Sequence, residues 1–170
     1  MLRLGGSSLL LASLSSQSSL AMTKLDPSAP RRLFFSDADL PLIRANARTP
    51  LLRDLYQSWA TAPIDELSDA LTQFEASQEM VRDLMKVLYA IEHQASVYLV
   101  EPTDALKESL LSGIERLMAC PHWDYFRDGG TDVLGIQRAS FATVRMLYAR
   151  EVLSDHISPE FDQRLLAAIA

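Results

Sequence analysis

The segment that decides the fold is residues 80–99, "MVRDLMKVLYAIEHQASVYL". Counted from its first residue, the apolar residues fall at offsets of 4, 7, 8, 11, 15 and 18, which keeps them on one face of a helix. Ser77 stands just before the segment and is suited to cap it. The pattern predicts one long helix from about Ser77 to Leu99, with a buried stripe made by Met80, Leu84, Val87, Leu88, Ile91, Ala95 and Tyr98.

The histidine of this segment is predicted on the opposite, polar side of the helix. His93 follows Arg82 by eleven residues, which separates the two side chains by only about 20° around the helix axis. We therefore expect the imidazole of His93 to be solvated.

Two helices are predicted before the central one. Ser36, followed three residues later by Asp39, is a helix start of the capping-box type, with an apolar side of Leu40, Ile43 and Ala47. Pro50 is expected to begin the second helix, whose apolar side, spaced by four, is Leu51, Leu55 and Trp59.

Three helices are predicted after it. Thr103 caps a helix that runs through Ala119 and buries Leu106, Leu110, Ile114 and Leu117. A second helix is expected from about Asp132 to Leu153. Ser158, Pro159 and Glu160 begin the last helix, which reaches Ala170 without a stop signal, so we expect the chain to be cut inside an element. Because no alternating strand pattern of useful length is present, the predicted class is all-α, built of antiparallel helical hairpins.

The composition fits one compact domain and excludes several functions. The chain has 170 residues, 48% hydrophobic and 22% charged, as in globular proteins. Its net charge of −6 argues against nucleic acid as a partner, since phosphate binding needs a basic face. No stretch approaches the eighteen or so apolar residues that a membrane span needs. A single cysteine, Cys120, excludes an intrachain disulfide, makes a cysteine-based zinc site unexpected and is itself predicted to be a small core residue.

The first residues differ in character from the rest. "MLRLGGSSLLLASLSSQSSLA", residues 1–21, places one arginine before a short leucine-rich run and ends in a possible cleavage site, which is the outline of a secretory signal peptide. Alternatively, Met22 is the true start. The first interpretation implies a periplasmic or secreted protein and the second a cytoplasmic one. In both, residues 1–28 are a leader or disordered segment and residues 29–170 form the domain.

The candidate site lies in "PHWDYFRDGGTDVLGIQRAS", residues 121–140. Its aspartates lack the alternating oxygen ligands and final glutamate of a calcium loop, so no metal is predicted; Asp132 is expected to cap the following helix, and Gly129-Gly130 to be a hinge. The aromatic faces of Trp123 and Tyr125 suit sugar rings, although a core position is open for Trp123. The candidate substrate-binding residues are Trp123, Tyr125, Gln137 and Arg138.

The helix after this segment has two faces of interest. Its predicted apolar stripe is Gln137, Phe141, Val144 and Tyr148, in which the glutamine either closes a local hydrogen-bond network or points into a polar cleft. The adjoining face alternates arginine and alanine: it leaves room for a neighbour or a ligand, or forms a salt-bridged surface, with Arg138, Ala142, Arg145 and Ala149. No phosphate loop, nucleophile elbow, HExxH motif or cysteine–histidine pair is present, so no cofactor is predicted.

Two stretches resemble the heparinase II/III-like proteins. "RRLFFSDADLPLIRANARTPLLRDLYQSW" is similar to their opening, with its D-L-P-x-(I/L)-R core, and "HWDYFRDGGTDVLGIQRASFATVRMLYAREVL" is similar to a later stretch of one subgroup, in which a tryptophan–aspartate loop leads into a G-(I/L)-Q-R-A helix. The similarity spans about Arg31 to Ala170. Where many members have an H-F-L-x-x-A-E type of helix start, this chain has Gly135-Ile136-Gln137-Arg138-Ala139.

The resemblance implies an (α/α) toroid, of which this chain would be the incomplete N-terminal part, followed by a β-sandwich. It also implies β-eliminative cleavage of uronic-acid polysaccharides, and thus an acidic polysaccharide as partner. The family's catalytic groups come from later toroid helices and from the sandwich, and His93, His122 and His156 do not match them. We therefore expect the complete protein to be a polysaccharide lyase and this chain to be inactive alone. The alternative is a non-catalytic helical module that binds carbohydrate or protein.

Overall fold

The computed structural model describes residues 33–77, 80–120, 126–128, 131–133 and 136–169. The helices in these ranges are α1 (Leu40–Asn46), α2 (Arg53–Ala60), α3 (Pro63–Ala76), α4 (Met80–Val100), α5 (Asp104–Ala119), α6 (Ile136–Val152) and α7 (Pro159–Ile169). A 3-10 turn, Asp37–Asp39, precedes α1, and two short strands, β1 (Phe126–Asp128) and β2 (Thr131–Val133), separate α5 from α6. The predicted all-α class is confirmed.

Helix α4 lies at the centre of the domain and packs against α1, α2, α3, α5 and α6. Its predicted stripe is confirmed at every position whose side chain is described, since Leu84, Val87, Leu88, Ile91, Ala95 and Tyr98 are all buried. Full burial of each such leucine stabilises the fold by about 1.5–3 kcal/mol. Within the described ranges, no helix is both long enough and apolar enough to cross a membrane.

Helix α5 also forms as predicted. Thr103 caps it, because its Oγ1 accepts a hydrogen bond from the backbone N–H of Leu106 at 3.3 Å. The predicted stripe is buried at Leu106, Leu110, Ile114 and Leu117. A fully buried amide joins α4 to α5, since Gln94 Nε2 donates to the carbonyl oxygen of Leu106 at 2.9 Å. Cys120, at the end of α5, is partly buried and packs against the core.

Helix α3 is not among the helices predicted from the sequence, although its signals are present there. Pro63 occupies the first helical turn, two acids follow it, and Leu67, Leu71 and Phe74 are buried. The residue before it, Ala62, has φ 54° and ψ 45°, a left-handed conformation that costs energy for any residue with a Cβ. α3 approaches α5 closely: a Cβ on Gly113 would lie 2.7 Å from Leu67 Cδ2.

Of the two helices predicted before α4, the start of the first is confirmed and the start of the second is wrong. The carboxylate of Asp39 accepts hydrogen bonds from the N–H (2.8 Å) and the hydroxyl (2.6 Å) of Ser36, as predicted for a capping box. Helix α2, however, begins at Arg53, and the predicted apolar side is largely exposed: 87% for Leu51 and 47% for Leu55. Trp59, the third member of that side, does pack on the core, together with Tyr56 and Ala60.

A short β-hairpin replaces the expected start of the sixth helix. β1 and β2 pair in antiparallel register, with Arg127 opposite Asp132. Asp132 is therefore a strand residue and not a helix cap, and α6 begins four residues later at Ile136. The sequence is typical of such a hairpin, because a Gly-Gly pair separates two short segments, one of which contains Thr131 and Val133. Gly129 and Gly130 themselves lie outside the described residues.

Helix α6 packs on the core mainly through the face that adjoins the predicted stripe, although Tyr148 of that stripe also packs against the core. Phe141 and Val144 are 40% and 50% exposed, whereas the side chains that face the core are Ala142, Arg145, Met146, Ala149 and Leu153. The physical reason is size, since alanines allow α6 to approach α4 closely. For the face that alternates arginine and alanine, the sequence left open a neighbouring element or a salt-bridged surface, and both are observed. α4 is the neighbour, and Arg145 Nε lies 2.8 Å from Glu92 Oε2 on that helix.

The two ends of the described chain are tied to α6. The carboxylate of Glu151 accepts hydrogen bonds from three consecutive backbone N–H groups, those of Leu33 (2.6 Å), Phe34 (3.0 Å) and Phe35 (3.1 Å). Arg150 forms a two-pronged ion pair with Asp162 on α7. The cap predicted for α7 is confirmed, because Ser158 Oγ accepts from the N–H of Phe161 at 3.1 Å. Residues 1–32, which include the predicted leader, lie outside the described ranges.

Candidate functional site

Four rings and one guanidinium form a continuous row across three helices. Trp59 stacks on His93 with 5.0 Å between centroids, and Tyr89 follows at 6.3 Å from His93. The guanidinium carbon of Arg145 lies 4.6 Å from the Tyr89 centroid and 4.8 Å from that of Phe141. We call these five residues, Trp59, His93, Tyr89, Arg145 and Phe141, the aromatic ladder.

Helical spacing places the ladder residues. Tyr89 and His93 are four residues apart on α4, and Phe141 and Arg145 are four residues apart on α6, so each pair projects from one side of its helix. Trp59 completes the row from α2. The prediction of a solvated His93 is therefore corrected: its side chain is only 23% exposed because Trp59 covers one face of the ring.

Carboxylates stand beside the guanidinium of Arg145 and the imidazole of His93. Arg145 is 9% exposed, and the 2.8 Å separation between its Nε and Glu92 Oε2 is an ion-pair distance, although the N–H is not aimed at that oxygen. The attraction is therefore mainly coulombic. His93 Nδ1 lies 3.2 Å from Glu66 Oε1. A charge as buried as that of Arg145 is tolerated only with such a partner.

A polar depression of about 470 Å³ opens beside the ladder, between α3 and α4. It is lined by hydrogen-bonding side chains and by two ladder rings, namely Glu66, Asp69, Gln73, Lys86, Tyr89 and His93. The ammonium of Lys86 donates to Gln73 Oε1 at 3.0 Å and pairs with Asp83 at 2.9 Å. Tyr89 is 43% exposed, so part of its ring is open to a ligand in the depression.

A second cavity, of about 320 Å³ and mostly apolar, lies between α1, α2, α4 and α6, and Trp59 lines it. Tyr148 on α6 contributes to its wall, and its Oη lies 3.1 Å from Ser96 Oγ. Because the Ser96 hydroxyl donates its only proton to the carbonyl of Glu92 at 2.8 Å, Tyr148 must be the donor to Ser96. Burial raises the pKa of the Tyr148 phenol.

Of the four predicted sugar-binding residues, the structure describes only two, and for these two only their place in a helix. Trp123 and Tyr125 lie outside the described residues. Gln137 and Arg138 lie in the first turn of α6, which places their backbone positions about one turn before Phe141 of the ladder. The sequence did not predict the ladder as a site, although the spacing of four between Tyr89 and His93 was readable as a ring pair on one helix face.

Among the described residues, no group of three or more histidine, cysteine, aspartate or glutamate side chains is arranged to hold a metal ion. Comparisons with protein-family models, with curated proteins and with solved structures found no match to this chain. The functional interpretation therefore depends on the geometry of the ladder and of the two cavities.

Proposed function

We propose that this chain binds a glycan along the aromatic ladder and in the adjoining polar depression. In this proposal, it is the helical N-terminal part of a lyase-like protein that resembles the heparinase II/III-like family. The observation that carries the proposal is the row of partly exposed rings beside a depression lined by carboxylates, an amide and an ammonium group.

Sugar rings match this combination of groups. Their C–H patches pack on aromatic faces, while their hydroxyls donate to carboxylates and accept from amides and ammonium groups. Tyr89 is the residue best placed for both contacts, because its exposed ring belongs to the ladder and also lines the depression. The volume of about 470 Å³ lies within the range of about 300–1,000 Å³ that is common for ligand sites.

The family resemblance suggests an acidic glycan, and the charges at the site define how one would bind. Two cations of the site, Lys86 in the depression and Arg145 in the ladder, each already have a carboxylate partner, Asp83 and Glu92 respectively. A uronate would have to exchange for one of these partners. Its affinity should therefore fall steeply with added salt, whereas the affinity of a neutral glycan should not.

Cleavage is proposed for the complete protein and not for this chain. β-Elimination needs a group that neutralises the sugar carboxylate, a base for the adjacent C–H and an acid for the leaving oxygen. Tyr148 is a poor base here, because burial raises its pKa and its proton is held by Ser96. The elimination chemistry would come from helices and a sandwich beyond this chain.

The toroid also belongs to this proposal. α3, α4 and α5 are joined by three-residue connections and pack on one another as sequential hairpins, which is the repeating unit of an (α/α) toroid. A ring of such hairpins would place the ladder beside further helices supplied by the rest of the protein.

A second candidate, a protein-binding module, is favoured by exposed leucines on α1, just before α2 and on α2 itself. Leu42 is 61% exposed, Leu51 87% and Leu55 47%. Large exposed apolar side chains are typical of interaction surfaces where they form one patch. Glycan binding that is insensitive to substitution of these leucines would favour the ladder over this alternative.

The decisive experiment is a calorimetric titration of the chain with heparin, alginate and neutral cello-oligosaccharides. The variant Tyr89→Ala should weaken binding about tenfold, because it removes the stacking ring, and Tyr89→Phe should keep most of the affinity. Leu51→Ala, which changes an exposed side chain just before α2, is the matched control and should bind like the unaltered chain.

Absence of binding to every glycan, or equal binding by Tyr89→Ala, would overturn the proposal. The absorbance of unsaturated products tests the catalytic part separately. The chain alone should produce none, and the complete protein should produce them from at least one uronic-acid polysaccharide.

A further inference from the structure

Arg145 is a nearly buried cation whose hydrogen-bond donors are unused. Its side chain is only 10% exposed, and Nε is buried without a hydrogen-bond partner. No hydrogen bond between described residues involves the other two guanidinium nitrogens. A guanidinium carries five N–H donors and keeps its charge in proteins. Because buried charged donors without acceptors are costly, Arg145 is suited to bind an oxyanion.

The carboxylate that faces Arg145 is held by charge alone. Glu92 Oε2 lies 2.8 Å from Arg145 Nε, but the N–H is not aimed at that oxygen. The side chain of Glu92 is 38% exposed, and its carboxylate accepts no hydrogen bond from the part of the chain that the structure describes. If the Glu92 side chain turned to solvent, it would lose one coulombic contact and regain its hydration, so this movement should cost little.

The other cation of the site is held more firmly. Lys86 pairs with Asp83 at 2.9 Å and donates to Gln73 Oε1 at 3.0 Å. Asp83 also accepts from Ser77 Oγ at 2.7 Å, and its side chain is only 7% exposed. Exchange at Lys86 would take the ammonium partner away from a nearly buried carboxylate, which costs more than the release of a partly exposed one. An incoming acid should therefore displace Glu92 and not Asp83.

We propose that Glu92 is a placeholder for the carboxylate of a ligand, and that Arg145 is the residue that binds this carboxylate. The inference rests on the proposed glycan binding and deepens it, because it assigns the acidic group of a uronate to one guanidinium. The planar fork of a guanidinium matches a carboxylate with two parallel hydrogen bonds. The rings of Tyr89 and Phe141, 43% and 40% exposed, lie against the same guanidinium and would contact the sugar that carries the acid.

A matched pair of ligands tests the role of Arg145. Oligogalacturonate and its methyl ester share one sugar backbone, but only the first carries carboxylates. Calorimetric titration of the 170-residue chain should show that the acid binds about tenfold more tightly than the ester. Arg145→Gln should remove this preference, and Arg145→Lys should keep only part of it, since lysine keeps the charge but loses the fork.

Removal of the placeholder predicts a gain of affinity. Glu92→Gln should bind the acid about three- to tenfold more tightly, because the competing charge is gone, and should bind the ester as the unaltered chain does. The free variant should also melt at a lower temperature, since Arg145 loses its partner, and the acid should restore the melting temperature. The matched control is Glu115→Gln, which removes a carboxylate from the exposed ion pair with Arg164 and should leave both affinities unchanged.

The outcomes separate this inference from the glycan proposal. Unchanged or weaker binding of the acid by Glu92→Gln, or tighter binding by Asp83→Asn instead, would overturn the placeholder. Equal affinity of the unaltered chain for acid and ester would overturn the role of Arg145 but leave glycan binding intact, whereas binding of neither would overturn both proposals. If Arg145→Gln does not fold, the Glu92→Gln comparison decides, because that substitution changes a partly exposed side chain.

Discussion

Glu151 and Phe35 are 116 residues apart in the chain, yet Glu151 Oε1 accepts a hydrogen bond from the backbone N–H of Phe35 at 3.1 Å. The same carboxylate accepts from Leu33 and Phe34, and it is 6% exposed. One buried side chain thus satisfies three consecutive backbone donors that precede the first helix. Phe34 adds an edge-on contact with Tyr148, at 5.4 Å between centroids.

We predict that Glu151→Ala destabilises the domain by about 2–4 kcal/mol, because the substitution leaves one buried and two partly buried backbone donors without an acceptor. Glu151→Gln keeps one acceptor oxygen and should cost clearly less. Urea unfolding measures both values. Hydrogen exchange of the amides of Leu33 to Phe35 checks the mechanism, since these amides should lose protection in the alanine variant. Equal stability of the two variants would contradict the role of the carboxylate.

The close approach of α3 to α5 predicts an unusual pair of effects at Gly113. In the unaltered chain, Gly113→Ala should cost about 1–2 kcal/mol, because the new Cβ would lie 2.7 Å from Leu67 Cδ2. In a Leu67→Ala background the same substitution should stabilise by about 0.5–1 kcal/mol, since alanine favours helix over glycine and the obstacle is gone.

A double-mutant cycle by thermal or urea unfolding measures this change of sign. The same effect of Gly113→Ala in both backgrounds would show that Leu67 yields without cost.

The left-handed conformation of Ala62 predicts a stabilising substitution. Ala62→Gly should raise the free energy of unfolding by about 1 kcal/mol, because the Cβ strain at φ 54° disappears. The matched control is Ala167→Gly, at an exposed position in the regular part of α7, which should lower it by about 0.5–1 kcal/mol. Differential scanning calorimetry of the two variants should show melting temperatures that move in opposite directions.

Asp83 predicts a specific pH dependence. Hydrogen bonds from Lys86 and Ser77 lower the pKa of its carboxyl from 3.8 to about 2. The unfolded chain then binds more protons than the folded chain between these values, so stability rises with pH there. The contribution of Asp83 is complete above about pH 4 and is lost as the pH falls towards 2.

Asp83→Asn should therefore be less stable than the unaltered chain at pH 6, and the difference should shrink between pH 4 and pH 2. Denaturant unfolding at fixed pH values measures the difference. A gap that stays constant down to pH 2 would mean that the ionised form of Asp83 is not the source of the stabilisation.

The segment singled out from the sequence gives a prediction of its own. If Trp123 and Arg138 line the same glycan surface as the ladder, Trp123→Ala and Arg138→Ala should lower glycan affinity without changing the melting temperature. Lower stability with unchanged affinity would identify these residues as structural. Tyr89→Ala, titrated in parallel, shows whether the ladder or the segment dominates.

The central helices could be predicted from sequence because burial there follows apolar periodicity. α4 and α5 bury the residues that their spacing indicates, and Thr103 caps α5 as its position suggests. Helix α6 could not be predicted in this way. A periodicity analysis weighs the hydrophobicity of side chains and not their size. It therefore predicts that the face with Phe141 and Val144 is buried, whereas the small alanines of the adjoining face are what allow close contact with α4.

The ladder could not be predicted from the sequence, for a related reason. Its members come from α2, α4 and α6, and the burial of Arg145 depends on Glu92 and on two rings from different helices. Phe141, four residues before Arg145, could be read from the sequence, but nothing near Arg145 indicates Glu92 or Tyr89, which come from α4. His93 is a similar case, because only the packing of Trp59 reveals that the imidazole is covered.

The three-residue connection between α3 and α4 also has a kinetic consequence. Closing a short loop costs little entropy, so this helix pair can form early, before the 116-residue separation between Glu151 and Phe35 is bridged. Truncations in the α3–α4 pair, such as Leu71→Ala, should mainly slow folding, whereas Glu151→Ala should mainly speed unfolding. The N-terminal residues 33–35 would then be the last to join the folded core and the first to leave it.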